Sequence, residues 1–177
     1  MVTRGSYRVL GVDPGLTRLG YGVVEEVGGK LAELAAGTFE SPAGAATAGR
    51  LLLIFERLTD LIAQWEPDAV AVERVFFKVN ARTAVPAMQA AGVALLAAAR
   101  SGAEVYEYPP LEVKRAVAGT GTASKDQVRF MVERLVGSCP AAQGRGPDTT
   151  DALAVAICHV HARRIRSLQG SVQGAAP

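Results

Sequence analysis

Apolar residues alternate or run together in five short stretches that are predicted to be strands. Their β-branched and aliphatic side chains suit a sheet, and turn residues separate the first three stretches. Gly28 and Gly29 predict a tight turn between the second and the third strand. The first three strands are therefore expected to form successive hairpins. The five predicted strands are Tyr7–Val12, Leu19–Val27, Lys30–Phe39, Asp68–Val75 and Ala103–Tyr108.

The remaining apolar residues recur at helical spacing. Helix and strand alternate after the three hairpin strands, which indicates an α/β or α+β domain with a mixed sheet. We expect one domain over residues 1–166, a flexible segment at Ser138–Pro147, and a disordered tail over residues 167–177, which is rich in Gln, Gly, Ala and Pro. The predicted helices are Gly49–Trp65, Ala81–Arg100, Pro109–Val117, the stretch from the capping residue Ser124 to Val136, and Asp148 to about Arg164.

Composition excludes several classes of protein. The chain has 177 residues, of which 49% are hydrophobic, so it can build a packed core. Its apolar runs fall short of the ~18 residues that a membrane helix needs, and the first residues lack a signal region, which predicts a cytoplasmic protein. The formal net charge of +2 permits nucleic-acid binding without arguing for it. Cys139 and Cys158 fit no metal or redox spacing and are expected to be free thiols.

Four acidic residues lie where predicted elements begin or end. Asp13 ends the first strand before a Pro-Gly turn, Glu73 interrupts an apolar strand, and Asp148 and Asp151 open the last helix. Each has an ordinary structural explanation. Asp13 could cap its own turn, Glu73 could reach solvent, and the other two could cap the helix and favour its dipole.

The combination of the four acids favours a metal site. Strand ends and a helix start commonly meet at one edge of a sheet, and carboxylates gathered there would repel one another. Oxygen ligands without His or Cys suit Mg²⁺ or Mn²⁺, and two such ions can activate water and stabilise a leaving 3′ oxygen. His159 would lie roughly 16 Å along the helix from Asp148, too far to share an ion. The acids therefore predict phosphodiester hydrolysis.

Three further stretches each have two interpretations. Phe76 and Phe77 beside Lys78 and Arg82 are typical of a loop that stacks on unpaired bases, although they could also form a hydrophobic plug. The helix Ala81–Arg100 is apolar on more than one face, which calls either for a partner chain or for burial in the monomer. The loop GTGTASK lacks the Gly before Lys of an ATP site, but it could cradle a DNA phosphate.

Four segments together resemble the RuvC family of bacterial Holliday-junction endonucleases. They are VLGVDPGLTRLGYGVV, DAVAVERVFFKVNARTA, YPPLEVKRAVAGTGTASKDQV and DTTDALAVAICH, and the resemblance spans about residues 7–162. It implies a ribonuclease H-like α/β fold with a five-stranded mixed sheet flanked by helices. It also implies site residues: two Mg²⁺ ions, or Mn²⁺, on Asp13, Glu73, Asp148 and Asp151, a junction contact by Phe76, and DNA binding by Lys114 and Lys125.

The resemblance further implies a homodimer that acts in homologous recombination and DNA repair. Such a dimer nicks two strands of like polarity symmetrically, prefers TT-containing sites, leaves ligatable ends and works beside the RuvA and RuvB branch-migration complex. The two-fold symmetry of a four-way junction suits a C2 dimer, which presents two equivalent sites.

Two other functions are compatible with parts of the sequence. An ATPase of the actin and sugar-kinase superfamily also has an acid and a glycine after its first strand, but such proteins need two domains. A non-enzymatic junction-binding protein is the second alternative. The intact set of acids argues against it, because carboxylates beside DNA weaken binding unless a cation neutralises them.

Overall fold

A computed structural model describes residues 5–76, 81–137 and 146–173 of the chain. The described elements are the strands β1 (Ser6–Asp13), β2 (Arg18–Val27), β3 (Lys30–Glu40), β4 (Ala69–Glu73) and β5 (Glu104–Tyr108), and the helices α1 (Thr47–Trp65), α2 (Ala81–Ser101), α3 (Pro110–Ala118), α4 (Lys125–Val136) and α5 (Pro147–Gln173). The predicted strands and helices are thus confirmed, with small shifts at their ends except at the end of α5.

The five strands form one mixed sheet in the order β3-β2-β1-β4-β5. β1 to β3 pair antiparallel as successive hairpins, whereas β4 and β5 run parallel to β1. Hydrophobic residues of α1 and α2 cover one face of the sheet, and residues of α3, α4 and α5 cover the other. This is the α/β fold with a flanked five-stranded sheet that the sequence predicts.

Helix α5 lies unusually close to the sheet because glycines face it. A Cβ atom at Gly11 of β1 would overlap the carbonyl oxygen of Ala152, and one at Gly20 of β2 would overlap that of Asp148. Only hydrogen at these positions permits the approach. The start of α5 is therefore fixed over the ends of β1 and β2 where the chain reverses.

The end of α5 differs from the sequence prediction. The helix was expected to end near Arg164 with a disordered tail from Ser167, but residues 167–173 are helical. Arg164 donates to Glu26 and to the carbonyl oxygen of Gly29, which ties this part of α5 to the β2–β3 hairpin. The predicted flexible segment lies largely outside the described residues, as does the end of the tail. Among the helices described, none is long and apolar enough to cross a membrane.

His159 of α5 is fully buried and bonded to two tyrosines. The Tyr7 hydroxyl lies 3.1 Å from Nε2 and the Tyr108 hydroxyl lies 3.0 Å from Nδ1. Burial, reinforced by the charges of Arg166 and Arg163, lowers the pKa of His159 to about 4. The imidazole is therefore neutral in the folded protein, and the two hydroxyls satisfy both ring nitrogens.

We expect His159 to make the protein acid-sensitive. Its folded pKa lies below the ordinary 6.5, so the unfolded chain binds more protons between pH 6.5 and 4. The contribution of the neutral His159 to the free energy of unfolding is complete above pH 6.5. It is lost as the pH falls through this window, by up to about 3 kcal/mol. In His159→Gln, urea unfolding should show a shallower pH dependence over that range. His161→Gln, which replaces the only other histidine of the chain, should keep the parental slope.

Candidate active site

Two carboxylates lie side by side at the ends of parallel strands. β1 and β4 are neighbours in the sheet, and Val12 pairs with Val72 in their register. The next residues, Asp13 and Glu73, are the last of their strands. The apolar residues before them fix the two strands in the core, so the backbone leaves these acids little freedom to separate.

Asp13 and Glu73 share a hydrogen bond. Burial, together with repulsion from neighbouring acids, raises the pKa of Asp13 to about 6 and that of Glu73 to about 8. The shared bond lowers the pKa of Asp13 and raises that of Glu73, so protonated Glu73 donates to the Asp13 carboxylate. At neutral pH the pair therefore carries about one negative charge.

The two acids of α5 complete the cluster. Repulsion by the charges of Asp151 and Asp148 raises the pKa of Asp13. Repulsion by Asp151 also raises the pKa of Glu73. Each helix acid has a cationic partner: Lys125 Nζ lies 3.0 Å from Asp151 Oδ2, and Arg18 Nε lies 2.9 Å from Asp148 Oδ2. The structure thus brings together all four acids that the sequence singled out.

The donor set suits a hard divalent cation. Four carboxylates offer oxygen alone, and their mutual repulsion is relieved by bound positive charge. Within the described residues, no three acidic, His or Cys side chains already converge as ligands of one ion. At α5, Lys125 and Arg18 hold two of the four carboxylates.

The predicted DNA-binding residues occupy different environments. Lys125 borders a cavity of about 200 Å³ together with Glu73, Asp151 and Lys114. The Lys114 ammonium donates to the Ala123 carbonyl oxygen at 2.7 Å, so in this structure it holds the loop before α4. Phe76 is 47% exposed, which argues against the hydrophobic plug. Two further candidates, Lys78 and the side chain of Arg82, lie outside the described residues, as does Phe77.

The Gly-rich loop before α4 has fewer free N–H groups than the sequence suggests. Ser124 forms a capping box, in which its hydroxyl accepts from the Gln127 N–H while the Gln127 side chain accepts from the Ser124 N–H. These two donors are therefore not available to a phosphate. Lys125, the first residue of α4, follows this loop directly.

Sequence analysis missed Arg18 as a member of the site. It begins β2, five residues after Asp13, and its guanidinium reaches across to α5. The available signal was its place at the tip of the first hairpin, on the same sheet edge as Asp13. The hairpin was predicted, but the reach of its first side chain depends on how closely α5 approaches.

The order of strands and helices first defines the class of fold, a ribonuclease H-like α/β domain. A yeast mitochondrial Holliday junction resolvase superposes with a TM-score of 0.68 over 94% of this chain and 84% of that chain. Its sequence identity is 13%, so this match establishes the fold alone.

The sequence comparisons then establish the family. The family model for crossover junction endodeoxyribonuclease RuvC matches residues 9–159. A curated member from Roseiflexus sp. is 48% identical over 155 residues, covering 88% of this chain and 91% of its own. Another from Alkaliphilus metalliredigens is 45% identical over 160 residues, covering 90% of this chain and 96% of its own. The chain belongs to the RuvC family.

A solved member of the family has been captured on DNA. Thermus thermophilus RuvC in complex with a Holliday junction substrate is 36% identical to this chain and superposes with a TM-score of 0.83. The alignment covers 90% of this chain and 96% of that chain. The domain therefore has nearly the full extent of this relative.

The raised pKa values predict how the metal-free protein responds to pH. Folded Asp13 and Glu73 hold protons that the unfolded chain releases. Their contribution to the free energy of unfolding is therefore complete below about pH 4 and is lost as the pH rises towards 8. Glu73→Gln keeps a donor for Asp13 but removes the titration, so in EDTA its melting temperature should fall less between pH 5 and 8. Glu133→Gln, at an exposed acid of α4, is the control. Parallel pH profiles for all three proteins would contradict the shared proton.

Proposed function

We propose that this protein is a divalent-metal-dependent endonuclease that resolves four-way DNA junctions by paired symmetric nicks in strands of like polarity. The observation that carries the proposal is the cluster of Asp13, Glu73, Asp148 and Asp151 on one sheet edge. The Thermus relative bound to a Holliday junction supports the choice of substrate. Homologous recombination and DNA repair are the processes in which such a product would be used.

The four acids would hold two Mg²⁺ ions, with Mn²⁺ as a substitute. Bound there, the cations would activate water and stabilise the leaving 3′ oxygen. Asp13 and Glu73 contribute fixed positions, because their strands are anchored in the core. Glu73 gives up its proton as it becomes a ligand, since a coordinating carboxylate is ionised.

Cationic and aromatic side chains around the acids suit a DNA backbone. Lys125 borders the cavity beside Glu73 and could move from Asp151 to a phosphate. Lys114 sustains this arrangement by holding the loop that leads to Lys125. Exposed Phe76, which follows β4 by three residues, would stack on an unpaired base. We keep Lys78 and Arg82 as proposed phosphate contacts on sequence grounds.

A homodimer would use the outer face of α2. Val85, Met88 and Leu96 expose 47%, 41% and 55% of their surface along one helical stripe. Neighbouring Leu95, in contrast, packs against the core cluster on the inner face. Such an apolar stripe suits an isologous contact, in which two copies bring two sites to a symmetric junction. We also propose, from family membership, that the dimer works beside RuvA and RuvB.

Asp151→Asn should separate DNA binding from cleavage. The amide keeps the size of the side chain but removes the charge that holds a cation, so nicking should fall by orders of magnitude. Junction binding should match or exceed that of the parent, because a negative charge is lost near the DNA. The measurement is a gel shift and a nicking assay on one sample, with Mg²⁺ and with EDTA.

The matched control for this variant is Asp126→Asn, at an exposed acid in the first turn of α4. It should cleave and bind like the parent. Both variants should melt within a few degrees of the parent, since each loses at most about 1 kcal/mol of helix-end or ion-pair energy. Near-parental nicking by Asp151→Asn would remove this residue from the proposed site, and undiminished nicking in EDTA would overturn the metal dependence.

Leu96→Glu should dissociate the proposed dimer without unfolding the protomer. A charge in the middle of the exposed stripe is costly only if the stripe is covered by a partner. Sedimentation at micromolar concentration should show a monomer for this variant and a dimer for the parent. Leu168→Glu, at a leucine of α5 that is 68% exposed, should stay dimeric. A monomeric parent would show that α2 has another role.

A further inference from the structure

Arg18 contacts one acid of the site, Asp148, whereas Lys125 contacts another, Asp151. Its Nε lies 2.9 Å from Asp148 Oδ2 and 3.6 Å from Glu40 Oε1. The side chain is 48% exposed, so part of the guanidinium faces solvent. A Cβ at Gly146 would lie 3.5 Å from an Nη atom of Arg18, which places that end of the guanidinium beside the start of α5.

The backbone beneath Asp148 is held independently of Arg18. Its carbonyl group lies directly over Gly20, where no side chain could be accommodated. The Thr149 hydroxyl, in the same helical turn, bonds to the Thr38 hydroxyl of β3 at 3.0 Å. Release of the Asp148 carboxylate from Arg18 therefore requires only rotation of side chains.

Arg18 and a cation at Asp148 would compete. The guanidinium occupies Oδ2, and a cation on either carboxylate oxygen would lie so close to it that the two positive charges repel each other. An arginine freed in this way keeps its planar array of donors, which matches the oxygens of a phosphodiester. The phosphodiester to be cut has to lie beside the same acids.

We propose that Arg18 is a positioning residue that competes with the divalent cation for Asp148 and, once displaced, binds a phosphate of the DNA backbone. Cation binding and DNA binding would thus reinforce each other. A bound cation would free Arg18 for a phosphate, and a bound phosphate would draw Arg18 away from Asp148 and leave that carboxylate to the cation. This inference rests on the proposed function, since it takes the four acids as cation ligands.

The first test measures Mn²⁺ binding by the DNA-free protein, read from the electron paramagnetic resonance signal of free Mn²⁺. Arg18→Gln should bind Mn²⁺ up to roughly fivefold more tightly than the parent, because a competing charge has been removed. Arg129→Gln is the matched control: Arg129 is 53% exposed and paired with Glu133 on α4. It should bind Mn²⁺ like the parent.

The second test measures junction affinity by gel shift in EDTA and in Ca²⁺. The parent should bind the junction more tightly in Ca²⁺, because the cation frees Arg18 for the DNA. The gain from Ca²⁺ should be roughly threefold or more smaller in Arg18→Gln than in the parent, whatever the affinity of each protein in EDTA. Arg129→Gln should keep the whole gain.

A purely structural role for Arg18 gives a different pattern. If it only joins β2 to α5, Arg18→Gln lowers the melting temperature and leaves Mn²⁺ affinity equal or weaker, which overturns the proposal. An equal gain of junction affinity in Ca²⁺ for the parent and Arg18→Gln also overturns the proposal. If the parent still binds Mn²⁺ in that case, the proposed function stands. If neither protein binds Mn²⁺ and neither nicks a junction, the proposed function itself is wrong.

Discussion

The close packing of α5 on the glycines of β1 and β2 is the constraint on which the site depends. A side chain at Gly11 or Gly20 would push the helix outwards by displacing the backbone of Ala152 or Asp148. The helix start, and with it two carboxylates, would then move away from the strand ends. Fully buried residues of α5, such as Leu153 and Ile157, stabilise this placement through the core. Stability and site geometry thus come from the same contact.

That packing imposes an electrostatic cost, because it gathers like charges where solvent is partly excluded. The protein relieves the repulsion in two ways: Glu73 keeps a proton that it shares with Asp13, and Lys125 and Arg18 neutralise the acids of α5. Both forms of relief are reversible, since a proton can leave and an exposed cation can turn away. In the proposed function, a divalent cation would replace the proton and the two cationic side chains.

Periodicity and turn chemistry predicted the sheet, the order of the helices and the four acids, because these depend on local patterns. Three features depended on packing between distant segments instead. The pairing of Arg18 with Asp148 follows from the approach of α5. The exposure of Leu96 beside partly buried Leu95 follows from the docking of α2, and the helical residues after Ser167 follow anchoring by Arg164. The assignment of the acids to metal binding came from residue chemistry and family resemblance together.

Proton release on Mn²⁺ binding tests the central claim most directly. The claim is that a divalent cation would displace the proton that Asp13 and Glu73 share. Calorimetric titrations at pH 7, in two buffers of different ionisation enthalpy, give the number of protons released. The account predicts release of about one proton per chain from the parent at saturation and markedly less from Glu73→Gln. Saturable Mn²⁺ binding without proton release, or equal release from both proteins, would contradict it.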